Sequence, residues 1–202
     1  MLSLVFKLKN YMIYIFEGMD NCLKDTLIQL FRFNLSPKTQ ILKFSNPPKN
    51  INNPEDWQKT HFKDMFDLIS LSLAKSSRNM ILNRAHLGEY VYSPIYRGYE
   101  GNWIFDLEET FLNICNEYND KIKLFVIYDS DNYQLNYRED GKSLSNNNHE
   151  KMDFERKRFI EAFEKSKFSH KKLFDISDYK IDKNETTREI NTNSIIKSML
   201  KL

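Results

Sequence analysis

The sequence predicts an α/β fold, with a parallel sheet of about five strands flanked by helices. Three observations predict it. Short apolar runs alternate with longer segments of helical period, the strand-like runs are continuously apolar, and no internal repeat or linker divides the chain. Strands apolar on both faces belong to a sheet covered on both sides, the usual setting of parallel strands. The 202 residues (24.3 kDa) suit one domain with a sizeable core, and residues 1–202 are read as one.

The elements follow in order. Met12–Phe16 is a β-branched and aromatic strand ended by Glu17-Gly18, with residues 1–11 as an N-terminal extension. A helix runs from about Asp25, with Leu27, Ile28, Leu30 and Phe31 on one face. It stops near Asn34-Leu35-Ser36-Pro37, since proline disfavours helix in the residue before it. Gln40–Phe44 is a second strand, closed by Ser45-Asn46-Pro47-Pro48. Asp56–Ala74 carries helical period through Trp57, Phe62, Met65, Phe66, Ile69 and Leu73, and Asn79–Leu82 is a third strand. Asp106–Tyr118 is an amphipathic helix, and Lys123–Tyr128 (KLFVIY) is the clearest buried strand. Asn132–Glu150 is polar and aperiodic. Lys151–Lys165 is a charged helix, Lys172–Ile176 a last strand and Thr192–Leu202 a terminal helix.

Composition excludes several classes. At 41% hydrophobic and 14% aromatic the chain is not a disordered one. A charge of +2 and a pI near 8.3 give no electrostatic case for duplex nucleic acid. Cys22 and Cys115 form no disulfide framework and match a reducing interior. No apolar run reaches the roughly 18 residues of a membrane span, and the first residues do not read as a secretory signal. A cytoplasmic protein is expected. The abundance of Asn, Lys, Ile, Tyr and Phe, written by A/T-rich codons, suggests a virus, phage or parasite, and for a virus the cytoplasm is the host's. His61, His86, His149 and His170 are scattered, without zinc spacing or a triad context.

The stretch Ile13 to Thr26, IYIFEGMDNCLKDT, looks like a strand running into a phosphate-binding loop, G-x-x-x-x-G-K-[S/T], that has lost glycines. In the full motif backbone N–H groups wrap the phosphates, the lysine reaches the β/γ oxygens and the hydroxyl holds Mg²⁺. Gly18 opens the loop and Lys24 takes the lysine's place. Leu23 stands for the preceding glycine and Asp25 for the hydroxyl residue, with Thr26 next. Alone, the segment also fits an ordinary strand–helix turn with Lys24 in solvent. In an open parallel sheet ligands bind beyond the carboxyl ends of the strands, so the turn after the third strand, Asn83 to Gly98, is the second place to look.

There the chain resembles the thymidylate kinase and deoxynucleoside monophosphate kinase family of P-loop proteins, in particular divergent phage and viral members. Of F-E-G-x-D-G-x-G-K-[S/T]-T it carries Phe16, Glu17, Gly18, Asp20, Lys24 and Thr26. Of the D-R pair with a tyrosine eight residues beyond it carries Arg84 and Tyr92. Of G-E-x-V-Y-x-x-x-Y-R it carries Gly88, Glu89, Val91, Tyr92, Tyr96 and Arg97. The resemblance implies a P-loop NTPase-like sheet with a lid at about 132–158. It also implies ATP- and Mg²⁺-dependent phosphoryl transfer to a deoxynucleoside monophosphate, and a homodimer. Lys24 would bridge the donor phosphates and Arg84 grip the acceptor phosphate, for which a planar guanidinium is suited. Asp20 would meet the sugar hydroxyl and Tyr92 pack near sugar or base. Asn21, Cys22 and Leu23 would line the phosphates, Arg97 the nucleotide, and Phe62 and Phe66 the base. Arg138 would complete the phosphate clamp from the lid, with Arg156 and Arg158 on the helix after it. Asp25, Thr26 and Asn83 would hold Mg²⁺.

The departures carry their own expectations. Asn21 and Leu23 replace glycines, so the Leu23 side chain must turn away or the loop cannot wrap phosphate. Asn83 replaces the aspartate of the D-R pair and removes a charge that organises Mg²⁺. Two functions follow: a deoxynucleotide kinase with reduced activity, or a catalytically inactive homologue kept as a structural or interaction subunit.

Overall fold

The computed structural model describes residues 11–44, 46–48, 50–132, 143–146, 148–184 and 187–202. Its core is a five-stranded sheet in the order β2-β3-β1-β4-β5. The strands are β1 (Ile13–Gly18), β2 (Thr39–Lys43), β3 (Asn79–Asn83), β4 (Ile122–Tyr128) and β5 (His170–Asp175). All neighbours pair in parallel. Six helices are described: α1 (Lys24–Phe33), α2 (Pro54–Lys75), α3 (Leu87–Tyr96), α4 (Trp103–Ile114), α5 (His149–Lys165) and α6 (Thr192–Leu200). The expected sheet is therefore present, with strand limits shifted by a residue or two.

β1 is central and every residue of it is buried. Alternation along the strand sends Tyr14 and Phe16 to one face and Ile13, Ile15 and Glu17 to the other. On the first face Phe16 meets Phe31 of α1 at 5.5 Å and Phe125 of β4 at 5.0 Å, and Tyr14 meets Phe31 at 4.9 Å. These are edge-on aromatic contacts of the kind that stabilise a core beyond simple burial.

Three features depart from the reading of the sequence. α3 was not anticipated, because Pro94 lies inside it. Proline cannot give the N–H that would bond the carbonyl four residues back, here that of Tyr90. The Arg158 guanidinium supplies the donors instead, from Nε at 3.2 Å and a terminal nitrogen at 2.6 Å, and its plane stacks on the Tyr90 ring at 3.7 Å. The helix expected at 106–118 begins at Trp103 and gives way after Ile114 to a 3₁₀ turn over Asn116–Lys121. An antiparallel hairpin, β6 (Lys180–Asn184) with β7 (Thr187–Ile190), precedes α6. The extension at 1–11 lies, except for Tyr11, outside the described residues, as does most of the first half of the expected lid. The second half is the start of α5.

Candidate nucleotide site

The loop after β1 keeps a glycine-type backbone without the glycines. Gly18 has φ +139°, and a Cβ there would fall 2.0 Å from the Ile127 carbonyl oxygen, so glycine is required. Asn21 and Leu23 have φ +60° and +66°, in the left-handed region. Asparagine tolerates this conformation, whereas a leucine in it costs about 1–2 kcal/mol. Burial of the leucine side chain returns roughly 1.5–3 kcal/mol. Leu23 is 5% exposed and belongs to the hydrophobic core, so its side chain turns inward. The Cys22 thiol donates to the carbonyls of Met19 (2.8 Å) and Ile127 (3.3 Å), tying the loop to β4. Burial pushes that thiol up to about 12, so it is inert as a nucleophile.

The N-terminus of α1 is left open. α2, α5 and α6 begin with Asn53, Asn148 and Asn191, each side chain accepting from a first-turn N–H, whereas α1, like α3 and α4, has no side-chain cap. Lys24 is buried, and among the described residues no carboxylate lies within ion-pair distance of its ammonium. An uncapped helix start, a glycine-type loop and a buried cation without a carboxylate together fit phosphate oxygens.

Asp25, exposed beside Lys24, accepts from Asn83 Nδ2 at 2.8 Å and lies 3.7 Å from Lys43 Nζ. Burial works to raise its carboxyl, but the Asn83 hydrogen bond and then Lys24, Lys43 and Arg84 hold it below the usual range. Asn83 Oδ1 is buried with no partner among the described residues, and Thr26 is exposed one position on. Asp25 and Asn83 thus offer hard oxygen donors. They suit a Mg²⁺ that takes one or two protein groups and completes its shell with phosphate and water.

The turn after β3 is stitched to β1. Arg84, at φ +67°, donates its backbone N–H to the Phe16 carbonyl at 2.9 Å. Glu17 Oε1 accepts from the N–H groups of Ala85 (3.0 Å) and Gly88 (3.3 Å). Burial raises the Glu17 carboxyl, against the lowering pull of His86, Lys24 and those two N–H groups. These bonds over-determine a backbone angle that an arginine seldom adopts. The Arg84 side chain is ion-paired with Asp20. Beneath the turn, His86 Nε2 lies 2.6 Å from Glu108 Oε2, and Ser166 and the Lys167 N–H also donate to Glu108.

Between this turn and α2 lies a narrow cleft of about 30 Å³, partly open to solvent. Arg84, Tyr92 and Gly18 line it, with Phe44, Phe62, Gln58, Glu89 and Arg97. The Tyr92 hydroxyl is buried without a partner among the described residues, and burial, reinforced by Asp20 and Glu155, holds it well above the usual range. Glu89 accepts from Arg97, from the Tyr99 hydroxyl (2.5 Å) and from Gln58 Nε2 (2.9 Å), and Arg97 also reaches Asn46 at 2.8 Å.

No family model matches this sequence, and no curated protein sequence does. Solved structures do resemble it. The YorR protein of Bacillus subtilis, solved in complex with phosphorylated GDP, is 17% identical over 94% of each chain with a TM-score of 0.64. The Candida albicans thymidylate kinase is 13% identical, over 95% of this chain and 90% of its own, with a TM-score of 0.52. The Ehrlichia chaffeensis thymidylate kinase is 13% identical, over 95% and 97%, with a TM-score of 0.51. The fold is that of the P-loop nucleotide kinases. At identities this low the likeness is one of fold.

The expected residues fall in three groups. Lys24, Asp25, Thr26, Asn83 and Asp20 gather with the loop around Gly18, Asn21, Cys22 and Leu23 at the ends of β1 and β3, and Arg84 joins them to the cleft of Phe62, Tyr92 and Arg97. Phe66 does not line the cleft. One helical turn beyond Phe62 and equally buried, it is stacked on Phe111 at 4.9 Å and against His86. Arg138 lies outside the described residues. Of the arginines after it, Arg156 is held by the Asp129 carbonyl, Asp153 and Asn132, and Arg158 serves α3. The sequence reading passed over Gln58, though a polar residue four before Phe62 on the buried stripe of α2 was a signal.

Proposed function

We propose that this chain is a P-loop kinase moving a phosphoryl group from ATP to a deoxynucleoside monophosphate, as thymidylate kinases do. The observation that carries the reading is Lys24, a buried residue whose ammonium has no carboxylate within ion-pair distance among the described residues, at the uncapped start of α1, one strand away from Arg84. ATP supplies the phosphoryl group and Mg²⁺, when bound, neutralises charge on the phosphates. Lys24 and the first N–H groups of α1 hold the donor phosphates, while Arg84, oriented by Asp20, holds the acceptor phosphate. Phe44 and Phe62 flank the base, Tyr92 meets the sugar, and Asp25 and Asn83 would hold the metal. In such a transfer the bond to the leaving diphosphate breaks as an acceptor phosphate oxygen bonds to phosphorus, so positioning and charge are most of the catalysis.

The test is diphosphate formation from each deoxynucleoside monophosphate with ATP and Mg²⁺. Turnover lost in Lys24→Ala is the expected result. No turnover, with no rise in melting temperature at millimolar ATP, would overturn it.

A further inference from the structure

The Asp25 carboxylate, in the first turn of α1, has both oxygens engaged. Asn83 Nδ2 donates to Oδ1 at 2.8 Å, and Lys43 Nζ stands 3.7 Å from Oδ2. Lys43 is the last residue of β2, and the strand register explains how it arrives there. It is level with Asn83 on β3, which is level with Phe16 on β1. Side chains at the same level on neighbouring parallel strands share a face of the sheet. Lys43 and Asn83 therefore rise on the face where Phe16 meets α1. Among the described residues, Asp25 is the one carboxylate within ion-pair distance of Lys43.

Three cations from three adjacent strand ends thus act on one carboxylate. Lys24 follows β1, Lys43 closes β2 and Arg84 follows β3, and each of them pulls the Asp25 carboxyl down. The Lys43–Asp25 pair is also the arrangement that a metal disturbs. Mg²⁺ takes hard oxygen donors such as Asp25 and Asn83, and a dication drawn to Oδ2 is repelled by the ammonium already beside it. The two side chains are 59% and 67% exposed, so the pair is weakly held and the lysine stem is free to swing.

On the kinase reading above, we infer that Lys43 is a further phosphate-binding residue, passed from Asp25 to a phosphate oxygen of the donor nucleotide when Mg²⁺ is held by that carboxylate. Without metal, Asp25 keeps the lysine to itself. With metal, the ammonium is released at the ends of the same three strands that present Lys24 and Arg84, and a phosphate oxygen takes the place of the carboxylate. Lys43 in this way makes the protein favour the magnesium complex of its nucleotide over the free nucleotide.

The experiment is titration calorimetry of the full chain with ATP, once with excess Mg²⁺ and once with EDTA. Lys43 is exposed, so Lys43→Met changes binding without removing a packed side chain. The variant should bind ATP tenfold or more weakly with Mg²⁺ and within twofold of wild type without it. Equal weakening under both conditions, or none under either, would overturn the inference. A second comparison removes the tether. In an Asp25→Asn background Lys43 has no carboxylate to leave, so adding Lys43→Met should now weaken metal-free ATP tenfold, and an unchanged affinity would overturn the inference too. Wild-type protein that binds ATP under neither condition would overturn the kinase reading together with the inference. ATP binding that Lys43→Met leaves untouched overturns the inference alone.

Discussion

Asp20 and Arg84, on the turns after two neighbouring strands, form an ion pair with side chains 13% and 28% exposed. A phosphate that uses Arg84 must share the guanidinium with that carboxylate. We expect Asp20→Asn to tighten binding of inorganic phosphate by roughly five- to tenfold at low salt, about 1–1.4 kcal/mol, with the gain shrinking as salt screens it. Nucleotide binding should move the other way if Asp20 also meets the sugar. Calorimetry with phosphate and with nucleotide separates the two, and equal phosphate affinity in variant and wild type would show that the pair does not compete.

Glycine is demanded at one end of the phosphate loop and leucine has become the better residue at the other. Gly18→Ala must displace the β4 backbone, and we expect a loss of at least about 3 kcal/mol in urea unfolding. Leu23→Gly relieves a left-handed leucine by about 1–2 kcal/mol but empties a core position, which costs about 2–5 kcal/mol. The second effect is larger, so placing the motif's glycine here should destabilise the fold. A more stable Leu23→Gly protein would mean that Leu23 is not packed as described.

Glu155 on α5 accepts from the Tyr96 hydroxyl at 2.5 Å and is almost fully buried. Burial, helped by Asp20, lifts its carboxyl from 4.5 to about 7, against the pull of the Tyr96 hydrogen bond, Arg84 and Lys151. Between these values the native state holds a proton that the unfolded chain has released, so stability falls as pH rises through the window. The loss is about 3 kcal/mol at most. Glu155→Gln should match wild type near pH 4 and exceed it near pH 8. Parallel stability curves for the two proteins across that range would remove Glu155 as the cause.

The parts of this fold legible in the sequence are those set by local pattern. Lys123–Tyr128 announces β4 because a strand covered on both faces is apolar throughout, and Gly18 to Thr26 announces its loop because the motif is contiguous. α3 was hidden because its stability is supplied from elsewhere: Arg158, 68 residues along the chain, replaces the bond that Pro94 removes from Tyr90. The Glu89 network in the cleft was hidden for the same reason, since Gln58, Glu89 and Tyr99 converge from separate segments. Phe66 shows the limit of periodicity, which gives a helix face but not where along its length the cleft stops and the core begins.

The register of β1 against β3, with Phe16 level with Asn83, makes the sheet a ruler. Lys24 and Arg84 follow strands whose spacing is the ordinary ~4.8 Å of paired backbones, and Glu17 bolts the second turn to the first. On the kinase reading, the gap between a donor and an acceptor phosphate is then a property of the strand spacing, already set before either nucleotide arrives.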